Sequence, residues 1–235
     1  SRGSVKHVQV RGHVKALTCR SMFHNFSAME TADLAALDTT GVTTMLYMFY
    51  NCTAVASLDL SGFNTQAVRT MQEMFNYCSA LQSVDLSSFR TSAVTNMYHM
   101  FHYCKSLTAI DLSNFDTSAV TTMYAMFAWN ESLTSLDLSM LDACSATDMT
   151  SMFYHDAQLA EIKLPKNFAT DTAVSQGAFF GCLWQPYVTY ARPEGSNMYG
   201  SCWWQVQGDT LVIAPAFGTS GTLADWAAGT PPWYS

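Results

Sequence analysis

The sequence predicts an α/β repeat fold, a solenoid of about seven 26-residue coils that pair a short parallel strand with a short helix, followed by a small C-terminal β module. Three observations carry that expectation. The motif Met-x-x-Met-Phe-x-x-Cys stands at Met71, Met74, Phe75 and Cys78, and it returns 26 residues earlier at Met45/Met48/Phe49/Cys52 and 26 later at Met97/Met100/Phe101/Cys104. A Leu-x-x-Leu-x-Leu alternation follows each copy. After Cys182 the period stops and Trp, Tyr, Gly and Pro dominate.

Each coil element has its own signal. The motif residues fall at i, i+3, i+4 and i+7, one face of about two helical turns, and a Thr such as Thr95 or Thr121 stands where a cap is expected. Leu81, Val84 and Leu86 then alternate with Gln82, Ser83 and Asp85 as a short strand, and Phe89 and Val94 anchor the turn back. So short a unit cannot bury its own apolar face, so the units are expected to stack. The strand series runs Val55/Leu58/Leu60, Leu81/Val84/Leu86, Leu107/Ile110/Leu112, Leu133/Leu136/Leu138 and Leu159/Ile162/Leu164. Met29/Ala32/Leu34 extends it, and Val5/Val8/Val10, two residues out of phase, begins it. Met123/Met126/Phe127 and Met149/Met152/Phe153 keep the beat with Asn130 and Asp156 in the Cys slot, so that slot needs no disulfide. The expected division is a repeat array over 1–182 and a β module over 183–235, with strands at Tyr187–Ala191, Trp203–Gln207 and Thr210–Ala214.

Composition narrows function. A hydrophobic fraction of 49% against 12% charged residues over 235 residues supplies ample core. The net charge of -7, with no Lys/Arg cluster, makes nucleic acid an unexpected partner. No apolar run approaches the roughly 20 residues of a membrane-spanning helix, so no membrane insertion is expected in this segment. No charged-then-apolar leader opens the chain, which reads as a mature fragment or excised segment. No Ser/Cys–His–Asp motif, phosphate loop or H-E-x-x-H is present, so the expectation is a non-enzymatic protein without a catalytic or metal site.

Leu133-Thr134-Ser135-Leu136-Asp137-Leu138-Ser139, the Asn114-Phe115-Asp116-Thr117-Ser118 turn and the repeated Met-x-x-Met-Phe together resemble the BspA-like leucine-rich repeats of bacterial surface proteins, over about residues 29–182. The resemblance implies a leucine-rich-repeat solenoid, secretion to a bacterial surface and adhesion to a protein or glycan of a host or neighbouring cell. Asp209-Thr210-Leu211-Val212-Ile213 and Pro232-Trp233-Tyr234 are similar to a module that introduces such arrays. Its place at the end suggests one period of a longer tandem protein, and identical modules meeting end to end are the alternative structural role.

Two ladders are the candidate binding sites. Asp59, Asp85, Asp111 and Asp137 share one outward strand position, with Asp33 joining them and Lys163 replacing the next. Like charges at strand spacing repel. They are relieved either by a hard cation such as calcium on carboxylate and hydroxyl oxygens or by water and the neighbouring Ser hydroxyls. The second is the reading adopted, with no cofactor. Tyr77, Tyr103 and Trp129, with Asn51 and His155 at the ends, form an aromatic ladder that either stacks on a ligand or packs coil against coil. The methionines and the Cys column read as core. His99 and His102, three residues apart, lack a third metal ligand and read as surface histidines, and Cys182–Cys202 is a candidate disulfide. Asn25, Asn51 and Asn130 meet the glycan acceptor pattern but sit on repeat positions.

Overall fold

The structure is a computed structural model that describes residues 1–165, residue 178 and the backbone of strands 187–189, 197–199, 202–206 and 211–215. A 3-10 turn at Arg2–Ser4 is followed by β1 (His7–Gln9), β2 (Val14–Lys15), β3 (Thr31–Asp33), β4 (Leu37–Asp38), β5 (Ser57–Asp59), β6 (Ser83–Asp85), β7 (Ser135–Asp137) and β8 (Glu161–Lys163). Four further strands follow: β9 (Tyr187–Thr189), β10 (Asn197–Tyr199), β11 (Cys202–Val206) and β12 (Leu211–Pro215).

The repeat strands pair in parallel, with period 26. Ser57 lies opposite Ser83 and Ser135 opposite Glu161. At the start His7 pairs with Thr31, two residues short of the period, as the Val5/Val8/Val10 phase anticipates. Tyr187–Thr189, which the sequence reading places beyond the last repeat, pairs in parallel with β8, Glu161 opposite Tyr187. β10, β11 and β12 form an antiparallel sheet. Leu107, Ile110 and Leu112 do not form the strand expected of them.

The Met-Phe segment is the larger correction, because it is not helical. Amides of alternate residues reach the next unit: Met71 N–H donates to Asn96 O (3.0 Å), Glu73 to Tyr98 O (2.8 Å), Phe75 to Met100 O (3.0 Å) and Tyr77 to His102 O (3.0 Å). The Met74, Asn76 and Cys78 amides close tight turns three residues back, Met74 to Met71 O and Cys78 to Phe75 O (both 3.1 Å) and Asn76 to Glu73 O (3.3 Å), while Gln72 donates to the Thr70 hydroxyl (3.3 Å). A helix would send the Phe75 amide to Met71, four residues back; here it serves the neighbouring unit. Thr95 and Thr121, expected as helix caps, instead donate their hydroxyls to Arg69 O (3.3 Å) and Thr95 O (3.0 Å) of the preceding unit. A run of parallel bridges, Thr44–Thr70–Asn96–Thr122–Asp148, leads into these segments.

Such linked turns return a side chain to the same face every three or four residues, so they bury the motif as a helix would. Phe23, Phe49, Phe75, Phe101, Phe127 and Phe153 form one stacked column with centroid separations of 5.2–6.0 Å. The methionines of the repeated motif fill the space around it, fully buried from Met45/Met48 to Met149/Met152. The Cys slot supplies thiol donors: Cys52, Cys78 and Cys104 Sγ each donate to a Phe carbonyl of the preceding unit at 3.1–3.2 Å. Burial pushes the Cys52 and Cys104 thiols up to about 12, so they stay protonated.

Asp156 occupies the same slot with one carboxylate oxygen accepting the Asn130 amide (2.8 Å) and the other, Oδ2, buried without a partner. Burial raises this carboxyl well above the ordinary range. A raised carboxyl pKa contributes stability that is full below the unfolded value and lost as pH rises. Asn130 shows that an amide fits the slot, so Asp156→Asn is expected to raise stability at pH 7 by about 1 kcal/mol and to weaken its decline with rising pH. Thermal melts across pH 4–8 check both.

Candidate functional site

The turns place the candidate site. In each unit two residues take left-handed backbone angles, at the second position after the first Met and at the residue before the Cys slot. The first set is Ser21, Tyr47, Glu73, His99, Ala125 and Ser151; the second is Asn25, Asn51, Tyr77, Tyr103, Trp129 and His155, with φ between 46° and 65° throughout. None is glycine. A side chain with Cβ in this region costs about 1 kcal/mol or more, least for Asn. The second slot therefore begins with its cheapest occupant, Asn25 and Asn51, and then carries large rings.

Those rings touch in sequence. Tyr50 and Tyr77 stand 5.9 Å apart, Tyr77 and Tyr103 4.7 Å, Tyr103 and Trp129 5.8 Å, and Trp129 lies flat on His155 at 4.1 Å. Tyr77 is exposed and the others are half-buried. The structure thus brings together the aromatic residues that the sequence groups, and adds some that it does not. Tyr47, Tyr50, Tyr98 and Tyr124 belong to the same face, Tyr98 stacking on Tyr124 at 4.9 Å and on His99 at 4.1 Å. Tyr98 and Tyr124 recur at one position after the first Met, a signal visible in the sequence once that position is known to face outward.

His99 and His102 stack ring on ring at 4.3 Å, with no helix beneath them. Burial holds both at about 4, well below the ordinary imidazole value. A folded pKa below the unfolded one gives stability that is lost as pH falls. The melting temperature is therefore expected to drop as pH falls from about 6.5 toward 4, where Glu73, facing His102, offsets part of the loss. Replacing both histidines by Gln should flatten that limb of the melting curve.

A polar chain runs beside the rings. Asn96 Nδ2 donates to Gln72 Oε1 (3.2 Å), Gln72 Nε2 to Glu73 Oε1 (3.3 Å) and Asn76 Nδ2 to Glu73 Oε2 (2.9 Å), and Asn76 Oδ1 meets His102 Nδ1 at 2.8 Å. A carboxylate only accepts, so Asn76 presents its NH2 to Glu73 and its oxygen to the imidazole. His102 Nδ1 is then the donor, and in the neutral ring Nε2 is left as an acceptor.

The acidic ladder has another role. Each Asp bonds the amide two residues on and so builds the turn after its strand: Asp59 to Ser61 (3.0 Å), Asp85 to Ser87 (2.9 Å), Asp111 to Ser113 (2.9 Å) and Asp137 to Ser139 (3.0 Å). The Ser61 hydroxyl and amide hold Asp59 below the ordinary carboxylate range, and the Ser113 amide and hydroxyl do the same for Asp111. Lys163, 2.7 Å from Asp137, lowers that carboxyl to about 2 with help from Ser139. Asp59 and Asp85 lie directly opposite, and Asp33 accepts from Gln9 Nε2 (3.1 Å). Among the described residues no three His, Cys, Asp or Glu side chains come together to hold a metal.

Of the remaining candidates, Asn130 is fully buried, so its glycan pattern marks a core position. The side chains of Cys182 and Cys202 lie outside the described residues. No helix among the described residues is long and apolar enough to cross a membrane.

A family model described as Mycoplasma protein of unknown function, DUF285, matches the chain twice, over residues 17–111 and 83–181. The chain belongs to the DUF285 family. The two matches overlap inside the repeats, so the DUF285 unit is itself a block of several 26-residue periods, and both ring-bearing slots fall within it from Ser21 to His155. No curated protein and no solved structure matches this DUF285 chain.

Proposed function

We propose that this DUF285 chain is a non-enzymatic binding segment of a secreted bacterial surface protein, of the BspA-like kind with the Met-x-x-Met-Phe repeat. In this reading its leucine-rich units stack as a solenoid that ends in a small β module, and an aromatic face meets a protein or glycan of a host or neighbouring cell. One observation carries it. From Tyr77 to Trp129 the chain holds large rings in left-handed positions that Asn25 and Asn51 fill at lower cost. Tyr and Trp give wide contact area with little side-chain entropy to lose, which suits recognition.

Beads coated with the chain are expected to adhere to host epithelial or bacterial cells, and beads carrying Tyr77→Asn, Tyr103→Asn and Trp129→Asn together are expected not to. Equal adhesion by both, or by neither, would count against the proposal.

A further inference from the structure

We infer that the partner of the aromatic face is a neutral, extended glycan, lying across the repeat units with its sugars stacked on Tyr77, Tyr103 and Trp129 and its hydroxyls bonded to Asn96, Gln72, Glu73 and His102, which the buried Asn76 holds in place. The inference rests on the binding role just proposed and narrows it.

Four features of the face point to this class. The rings advance one per unit, and units joined by parallel pairing advance about 4.8 Å each, close to the length of one sugar in an extended chain. The apolar face of a pyranose stacks on an aromatic ring, and Tyr and Trp combine such a face with a polar edge. The polar chain is fixed in advance by its own hydrogen bonds, so a hydroxyl of the ligand meets groups already oriented: the Glu73 carboxylate and His102 Nε2 as acceptors, the half-buried Gln72 and Asn96 amides as donors. Lastly, among the described residues the large exposed apolar side chains other than Tyr77, namely Val14, Leu17 and Met140, lie outside these turns. The centre of a protein interface is usually more apolar than this mixture of Tyr, Trp, His, Asn, Gln and Glu.

Charge selects the neutral ligand. Lys105, the cation beside Tyr103 at 4.5 Å, is paired with Glu131 at 2.6 Å. Glu73 is acidic, and burial keeps His99 and His102 uncharged at neutral pH. Sulfated or sialylated chains would meet no free positive charge along Tyr77–Trp129, whereas a neutral chain has nothing to repel it.

The test is a printed array of neutral, sialylated and sulfated glycans together with host matrix proteins, followed by titration of the strongest ligand as a length series. Trp129→Asn and Tyr103→Asn serve as variants, since Asn already occupies their slot at Asn51 and keeps the turn. The expected result is binding to neutral linear glycans that strengthens with length up to several sugars and weakens about tenfold or more in either variant, with both variants melting cooperatively. Binding confined to charged glycans, or confined to proteins, and lost in the variants would overturn this inference while leaving the binding face in place. Binding that survives both substitutions, or none at all, would overturn the two together.

Discussion

Phe101→Ala is expected to lower the unfolding free energy by about 3–5 kcal/mol, the largest effect of any single substitution considered. Phe101 is fully buried and stacks on both sides, 5.2 Å from Phe75 and 5.8 Å from Phe127. Removing the ring leaves a cavity that its neighbours cannot close, because the backbone on each side is tied to the next unit: the Phe101 amide donates to Met126 O and Phe75 to Met100 O. In a repeat array each unit is stabilised mainly by its two neighbours, so a hole at the centre weakens two interfaces at once. Urea unfolding should show the lowered midpoint, accompanied by a broader transition if the two halves then unfold separately. A loss below about 1 kcal/mol would mean that the column is not closely packed.

Thr91→Val is expected to cost about 1–3 kcal/mol although it keeps shape and volume. Thr91 belongs to a buried column, Thr39, Thr65, Thr91 and Thr117, in which each hydroxyl serves the next unit twice. The Thr91 Oγ1 donates to Asp116 O at 2.8 Å and accepts the Asp116 amide at 2.8 Å, so one side-chain group replaces a pair of backbone bonds. Valine fills the space and leaves that amide and carbonyl without a partner. Thr91→Ser keeps the hydroxyl and should recover most of the loss. A valine variant as stable as the parent would mean that water satisfies Asp116 instead.

The period, the core and the repeat strands other than the one expected at Leu107/Ile110/Leu112 are legible in the sequence, because burial enforces them. Phe75, Met71 and Cys78 are buried as expected, and even the two-residue offset of the first strand was visible in Val5, Val8 and Val10. The backbone of the Met-Phe segment was not legible. Apolar residues at i, i+3, i+4 and i+7 fit a helix and a row of linked turns equally well, and what separates them is where the Phe75 amide donates, which no side chain reveals. Left-handed backbone is usually announced by Gly or Asn; here Tyr47, Tyr77, Tyr103 and Trp129 occupy it, so the signal was hidden in the residues that make the surface unusual. The aspartates form a charged ladder between Asp59 and Asp85, as their spacing implies, but the turn amides they bond lie only two residues on and give each a local structural task. His99 and His102 drew notice as a spaced pair, while their stacking with Tyr98 depends on turn geometry that spacing alone does not convey.

Whether the rings serve recognition or hold the units together is decided most directly by the melting temperature of the variant with Tyr77→Asn, Tyr103→Asn and Trp129→Asn combined. Losing the ring contacts costs about 0.5–1.5 kcal/mol per pair, while placing Asn in left-handed positions returns a comparable amount. A cooperative melt within about 4 °C of the parent is expected, since 1 kcal/mol corresponds to about 2–4 °C for a chain of this size. A fall of about 10 °C or more, or loss of the cooperative transition, would show that the rings are packing between units and would contradict a role in recognition.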